Sequence, residues 1–170
     1  GTRGSSGVIL ITTKKGKKGT SNVEYNGYVS NESIAKLPAF LTTEEFKANG
    51  GLDAGGATDW YSELSQSKLS QSHNLSMSGG TANTSYRASF NFRDMSGVVL
   101  NTGFKQLNGS LSLNQKAMND KLSLSLNMIL TNRDSKFGFP EASRYASIAN
   151  PTSKVYLDGG AYNNPSGFDV

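Results

Sequence analysis

The chain has 170 residues, 17 Lys and Arg against 13 Asp and Glu, and a formal net charge of +4, a length that suits one ordinary domain of about 100–200 residues. Only 35% of residues are hydrophobic and 18% charged, while Gly, Ser and Asn fill roughly a third, which disfavours an ordinary α/β enzyme core. The 7 Tyr and 8 Phe argue against disorder, and zero Cys with a single His removes disulfides, thiol nucleophiles, zinc sites and His-based triads.

In chain order, Gly1, Gly4 and Gly7 form a glycine-rich turn leading into a short apolar strand at Val8, Ile9, Leu10 and Ile11. It is not a phosphate loop, because the Gly-Lys-Ser/Thr ending is missing and a strand follows where a helix would be required. Lys14, Lys15, Lys17 and Lys18 lack the interleaved aromatics of a nucleic-acid track and read as a solvated linker. No apolar run near the start approaches the ~20 residues of a membrane helix, which says nothing against a β-barrel. Starting at Gly1 without a visible signal peptide, the chain reads as a piece of a longer one.

Period-2 alternation then dominates. Over residues 22–30, Val23, Tyr25, Gly27 and Val29 share a face opposite Asn22, Glu24 and Asn26, with Tyr28 breaking the polar side. Over residues 70–78, His73, Leu75 and Met77 alternate with Ser72, Asn74, Ser76 and Ser78. Residues 85–93 set Tyr86, Ala88, Phe90 and Phe92 against Ser85, Arg87, Ser89, Asn91 and Arg93. Residues 107–114 set Leu107, Gly109, Leu111 and Leu113 against Asn108, Ser110, Ser112 and Asn114. Residues 122–130 set Leu122, Leu124, Leu126, Met128 and Leu130 against Ser123, Ser125 and Asn127. Five such segments make a sheet.

Two architectures share this pattern: a soluble sandwich and a membrane barrel with its apolar face outward. The polar face of Ser and Asn suits a wet interior better than a Lys- and Glu-rich solvent face. Connections also favour the barrel. Residues 79–84 and 116–121 read as tight turns, residues 94–103 as a longer loop, and residues 31–69 and 134–170 as longer still. Short turns at one end and long loops at the other characterise bacterial barrels. On that reading Leu75, Met77, Phe90, Leu111, Leu113, Leu124 and Leu126 face lipid, and Ser76, Asn91, Ser112 and Ser125 face the lumen. The expected fold class is all-β: an incomplete meander of a transmembrane antiparallel barrel, with short helices in the long loops.

Three helices are expected there. Thr42 with Glu45 forms a capping box, and Gly50-Gly51 ends that helix. Asp59 caps a second that opens at Trp60-Tyr61, and a third spans residues 141–149. Trp60, Tyr61 and Tyr162 are loop aromatics that could stack on sugar faces, although packing of the loops explains each of them more simply. His73, without partners for general-base or metal work, reads as an interface or structural residue. The Asn-x-Ser patterns at Asn31, Asn74, Asn83 and Asn108 are expected by chance, and Asp158-Gly159-Gly160 lacks calcium-loop spacing. No catalytic, cofactor or metal residue is assigned, ligand-binding residues are unknown, and an enzyme is the weakest reading.

The N-terminal run Gly1-Thr-Arg-Gly-Ser-Ser-Gly-Val-Ile-Leu-Ile-Thr-Thr-Lys-Lys-Gly16 resembles the end of the plug domain in SusC/RagA-type TonB-linked outer membrane proteins. Val23-Glu-Tyr-Asn-Gly-Tyr28, Leu41-Thr-Thr-Glu-Glu-Phe46, Thr58-Asp-Trp60 and Ser72-His-Asn-Leu-Ser-Met-Ser-Gly-Gly80 are similar to successive family landmarks. Tyr86-Arg-Ala-Ser89, Gly97-Val98, Gly103-Phe104 and Leu111-Ser-Leu-Asn-Gln115 continue the order. The resemblance implies residues 1–18 as the end of the plug and residues 19–170 as the first strands and loops of a truncated barrel. It also implies a Gram-negative, Bacteroidota-like outer membrane and energy-coupled import of oligosaccharides or peptides. Implied partners are the TonB complex, a SusD-like surface lipoprotein, outer-membrane lipid and the substrate, with no cofactor and no nucleic acid. A secreted β-rich glycan-binding or adhesion module is the alternative.

Overall fold

The computed structural model describes Gly19 and residues 21–163. The expected plug strand and lysine linker of residues 1–18 lie outside the described residues. Five strands follow one another: β1 (Ser21–Asn31), β2 (Leu69–Gly80), β3 (Thr84–Ser96), β4 (Thr102–Ala117) and β5 (Leu122–Phe137). They form one antiparallel sheet in the order β1-β2-β3-β4-β5, each strand beside its sequence neighbour. Helices α1 (Thr43–Ala48) and α2 (Trp60–Leu64) lie between β1 and β2, and α3 (Ala142–Ile148) follows β5. No helix among the described residues is long and apolar enough to cross a membrane, which leaves a strand-built crossing untouched.

All five alternating segments are strands, and β3, β4 and β5 run further than their alternation. The connection expected over residues 94–103 is corrected by this: β3 continues to Ser96 and β4 begins at Thr102, leaving only residues 97–101. The ladder closes beneath the turn, where the Gly97 N–H donates to the Thr102 carbonyl at 3.0 Å. Backbone pairing does not require apolar side chains, so polar Asp94, Ser96 and Thr102 stay in it. Strict alternation of short and long links therefore fails at β3–β4. Residues 81–83 and 118–121 close the two turns at one end of the meander, and the extended stretches 32–68 and 138–163 belong to the other. In the β4–β5 turn, Met118, Asn119 and Asp120 all adopt positive φ (55°, 56° and 67°).

The chain divides into two compact units. One comprises Gln71–Arg93, Lys105–Arg133 and the described residues up to Tyr28; the other comprises Val29–Ser70, Asp94–Phe104 and Asp134 onward. In the first unit, side-chain pairs fix the register. Ser89 meets Ser110 (2.7 Å) and Thr84 donates to Gln115 (2.6 Å), which sets Phe92 opposite Leu107. Ser125 donates to Asn114 (2.9 Å) and Arg133 to Gln106 (3.5 Å), which sets Leu107 opposite Asn132.

Burial on β2 is the reverse of a soluble sheet, and β5 is exposed on both faces. On β2, Ser72 and Ser76 are buried while Leu75 and Met77 are 40% and 44% exposed. Phe90, Leu111, Leu124 and Leu126 are exposed as well. Among the described residues the only buried hydrophobic side chains are Ala142 and Ala146, both on α3. A sandwich takes its stability from burying the Leu/Phe face at about 25 cal/mol per Å². This sheet leaves that face open.

Candidate functional site

The first unit presents a polar wall in which Arg87, Arg93 and Arg133 accompany neutral side chains. Side chains that alternate away from the Leu/Phe face bond across three strands: Ser89 with Ser110, Asn108 with Asn91 (3.4 Å), Gln106 with Asn108 (3.0 Å), and Ser125 with Asn114. Asn91 also donates to the His73 carbonyl (3.4 Å). Cross-strand pairs of this kind exchange hydrogen bonds with water or a polar solute and carry no acid/base chemistry. Of the expected polar-face residues, Asn91 and Ser125 join this network and Ser76 is buried.

On the opposite face the His73 ring lies between Tyr25 (centroids 6.1 Å apart) and Phe92 (6.3 Å). The Tyr25 hydroxyl contacts Nδ1 at 2.6 Å and Gln71 Oε1 lies 3.3 Å from Nε2. Both ring nitrogens are occupied within the sheet, which places His73 as a structural link between β1, β2 and β3.

The second unit assembles the loops. The α1 capping box is present: Thr42 Oγ1 accepts from the Glu45 N–H, and Glu45 accepts from the Thr42 N–H. Asp59 caps α2 by accepting from the N–H groups of Tyr61 and Ser62. Residues 150–153 tie the loops together. Thr152 is fully buried; its Oγ1 accepts from the Ala54 N–H (2.8 Å) and lies 2.8 Å from the Leu52 carbonyl and 2.9 Å from Asn150 Oδ1. Gly56 N–H donates to the Thr152 carbonyl and Thr58 N–H to that of Pro151.

This segment accounts for the loop aromatics. Trp60 Nε1 donates to the Asn150 carbonyl (3.0 Å). Tyr61 donates to the Ser143 carbonyl (3.0 Å) and stacks on Phe40 (4.8 Å). Tyr162 pairs with Tyr156 (4.9 Å), and the hydrogen bond between them, with charge coupling second, pushes the Tyr156 hydroxyl above its ordinary value. Each of the three thus has a packing partner, Tyr162 while remaining largely exposed. Trp60 nonetheless stands between two hollows. One, about 390 Å³, is lined by Leu64, Leu100, Phe139, Ala142 and Tyr145; the other, about 810 Å³, by Phe40, Phe46, Thr58, Tyr61 and Ile148.

Thr152 and Gln66 were not legible as organising residues. Gln66 Nε2 lies within 3.0–3.3 Å of the Gly97, Val99 and Thr102 carbonyls and holds the β3–β4 turn. Asn150-Pro151 marked a helix end in the sequence; nothing marked Gln66. Lys47 hydrogen-bonds Asp53 (2.9 Å) and, with the Gly55 N–H, holds its carboxyl below the ordinary value. Among the described residues no group of three or more acidic or His side chains is placed to hold a metal.

No protein-family model matches the chain. It is 32% identical over 179 residues to the TonB-dependent receptor SusC of Bacteroides thetaiotaomicron, covering 99% of this chain and 18% of that protein. It is 28% identical over 187 residues to the TonB-dependent receptor P26 of Formosa agariphila, again covering 99% and 18%. The RagAB peptide importer in its closed-closed state shares the fold, with a TM-score of 0.67 at 18% identity over 89% of this chain and 23% of that one. A structure of the RagAB peptide transporter gives 0.61 at 20% identity over 73% and 19%. The chain thus spans about a fifth of the length of the relatives that it matches. Ordered motifs, strand meander and whole-chain alignment agree that this chain is similar, from end to end, to a stretch of SusC/RagA-type TonB-dependent receptors.

Proposed function

We propose that the chain forms the end of the plug (residues 1–18) and the first barrel strands and loops (residues 19–170) of a TonB-dependent outer-membrane transporter. Exposure of the apolar face carries this reading: Leu75, Met77, Phe90, Leu111, Leu124 and Leu126 are exposed, Ser72 and Ser76 of β2 are buried, and a hydrogen-bonded polar wall faces away from the apolar side. An outer-membrane barrel arranges apolar and polar faces in this sense. Similarity to TonB-dependent receptors supports energy-coupled import, and likeness to the RagAB peptide importer supports a surface lipoprotein partner of the SusD kind. The imported solute is an oligosaccharide or a peptide. SusC similarity in sequence favours the first, and likeness of fold to peptide importers favours the second.

The test is uptake by cells carrying the intact receptor, using labelled oligosaccharides and labelled peptides in parallel. One class enters, accumulates in an outer-membrane-dependent way, and stops entering when TonB is deleted. A receptor found in the culture medium, or uptake indifferent to TonB, would overturn the reading.

A further inference from the structure

The apolar face of strands β2 to β5 ends at one level. Outward positions run Met77, Leu75, His73 on β2 and Tyr86, Ala88, Phe90, Phe92 on β3. They run Leu113, Leu111, Gly109, Leu107 on β4, and Leu122, Leu124, Leu126, Met128, Leu130 on β5. The register sets Phe92, Leu107 and Asn132 side by side, and the His73 ring stacks on Phe92 and Tyr25. On three strands the outward residue just past this row is polar or charged: Gln71 on β2, Asp94 on β3 and Lys105 on β4. On β5 the change comes one position sooner, at Asn132 in the row itself, and Asp134 follows. These four strands thus turn from apolar to polar within one outward position of the same row, whereas on β1 the outward face stays apolar past Tyr25 through Gly27 to Val29.

We propose that the lipid headgroup boundary at the long-loop end of strands β2 to β5 follows the row His73, Phe92, Leu107 and Asn132. This placement rests on the membrane reading above and deepens it. Strand length supports it. From the polar Thr84–Gln115 pair to the row, β3 and β4 each run nine residues, and β5 runs eleven from Leu122 to Asn132. A transmembrane strand tilted about 45° requires about 9–11. At ~3.4 Å per residue, the nine-residue spans of β3 and β4 cover roughly 27 Å along the axis, or about 19 Å of depth at that tilt, and the longer apolar run of β5 roughly 34 Å, or about 24 Å of depth, against the ~25 Å apolar band of such barrels. The side-chain chemistry suits the level too. His73 combines an apolar ring body with polar atoms, the combination found where hydrocarbon meets headgroups. The Asn132 amide can hydrogen-bond water or headgroups there, whereas in hydrocarbon it would be costly to desolvate. Lys105 and Asp94, one step on, belong with water and headgroups, since charge on the lipid face is costly in mid-bilayer and nearly free at the interface.

Spin-label accessibility in the intact receptor, reconstituted in phospholipid vesicles, tests the placement. Single cysteines replace Ala88, Phe90, Phe92 and Asp94 on β3, and Leu111, Leu107 and Lys105 on β4. Collision with oxygen reports hydrocarbon and collision with a water-soluble nickel chelate reports water. Oxygen should dominate at positions 88, 90 and 111, the two should balance at 92 and 107, and nickel should dominate at 94 and 105. Should one strand's variants fail to insert, the other strand reads the same row. A balance point displaced by two outward positions or more overturns the boundary while leaving the membrane reading intact. Nickel dominance at all positions overturns both.

Discussion

Thr152 shows how much one hydroxyl can organise. It is fully buried and serves the Ala54 N–H and the Leu52 carbonyl, 98 and 100 residues away in sequence. Thr152→Val keeps the shape and leaves that N–H without its acceptor, a cost of about 1–3 kcal/mol. Hydrogen exchange at Ala54 should accelerate accordingly, while strand amides of the first unit stay protected. Asp53 gives a pH-dependent counterpart. Its folded pKa is depressed from 3.8 by Lys47, so the stability contributed is present above that value and is lost as pH falls through the lower folded one. Proteolysis of the loop around Asp53 should rise on acidification below pH 3.8, and Asp53→Asn should remove that pH dependence. The sequence displays Trp60 and Tyr61 plainly but hides their partners. Asn150 and Ser143 lie 90 and 82 positions away, and hydrogen bonds to backbone carbonyls carry no side-chain signature.

Strands and helices were legible where local chemistry decides them. Period-2 alternation located every described strand, and the Thr42–Glu45 and Asp59 caps located two helices, because each signal arises within a few residues. Thr42→Ala should cost about 1 kcal/mol, and that loss should show as faster amide exchange in α1 alone. Strand ends were not legible, since the ladder beyond Phe92 continues through backbone groups whatever the side chains. The two faces of β5 give the sharpest element-scale contrast. Leu124→Arg should destabilise the reconstituted receptor by about 2–4 kcal/mol, whereas Ser125→Asn should be nearly neutral, as measured by equilibrium unfolding in lipid. Equal tolerance would reverse the assignment of faces. In the β4–β5 turn Met118 carries a φ of 55°, which costs a non-glycine residue roughly 1–2 kcal/mol. Met118→Gly should recover part of that as a raised unfolding midpoint.

At the scale of the molecule, the sheet of described residues has two outer strands, β1 and β5, each with one edge bare of a partner strand. Exposed Leu and Phe on one face and free edges at both sides favour pairing between chains. The isolated 170-residue chain should therefore aggregate in detergent-free buffer, by light scattering; a monodisperse, cooperatively unfolding monomer would count against the barrel reading. Because neighbours in the sheet are also neighbours in sequence, the meander has an order in time as well as in space. The β2–β3, β3–β4 and β4–β5 links need only residues 81–83, 97–101 and 118–121, whereas β1 must close residues 32–68 to reach β2. That stretch is roughly three doublings longer, an added closure entropy of about 2 kcal/mol. Strands β2 to β5 are thus set to zip first and β1 to arrive last, so the seam that completes one side of the sheet is also the last to form.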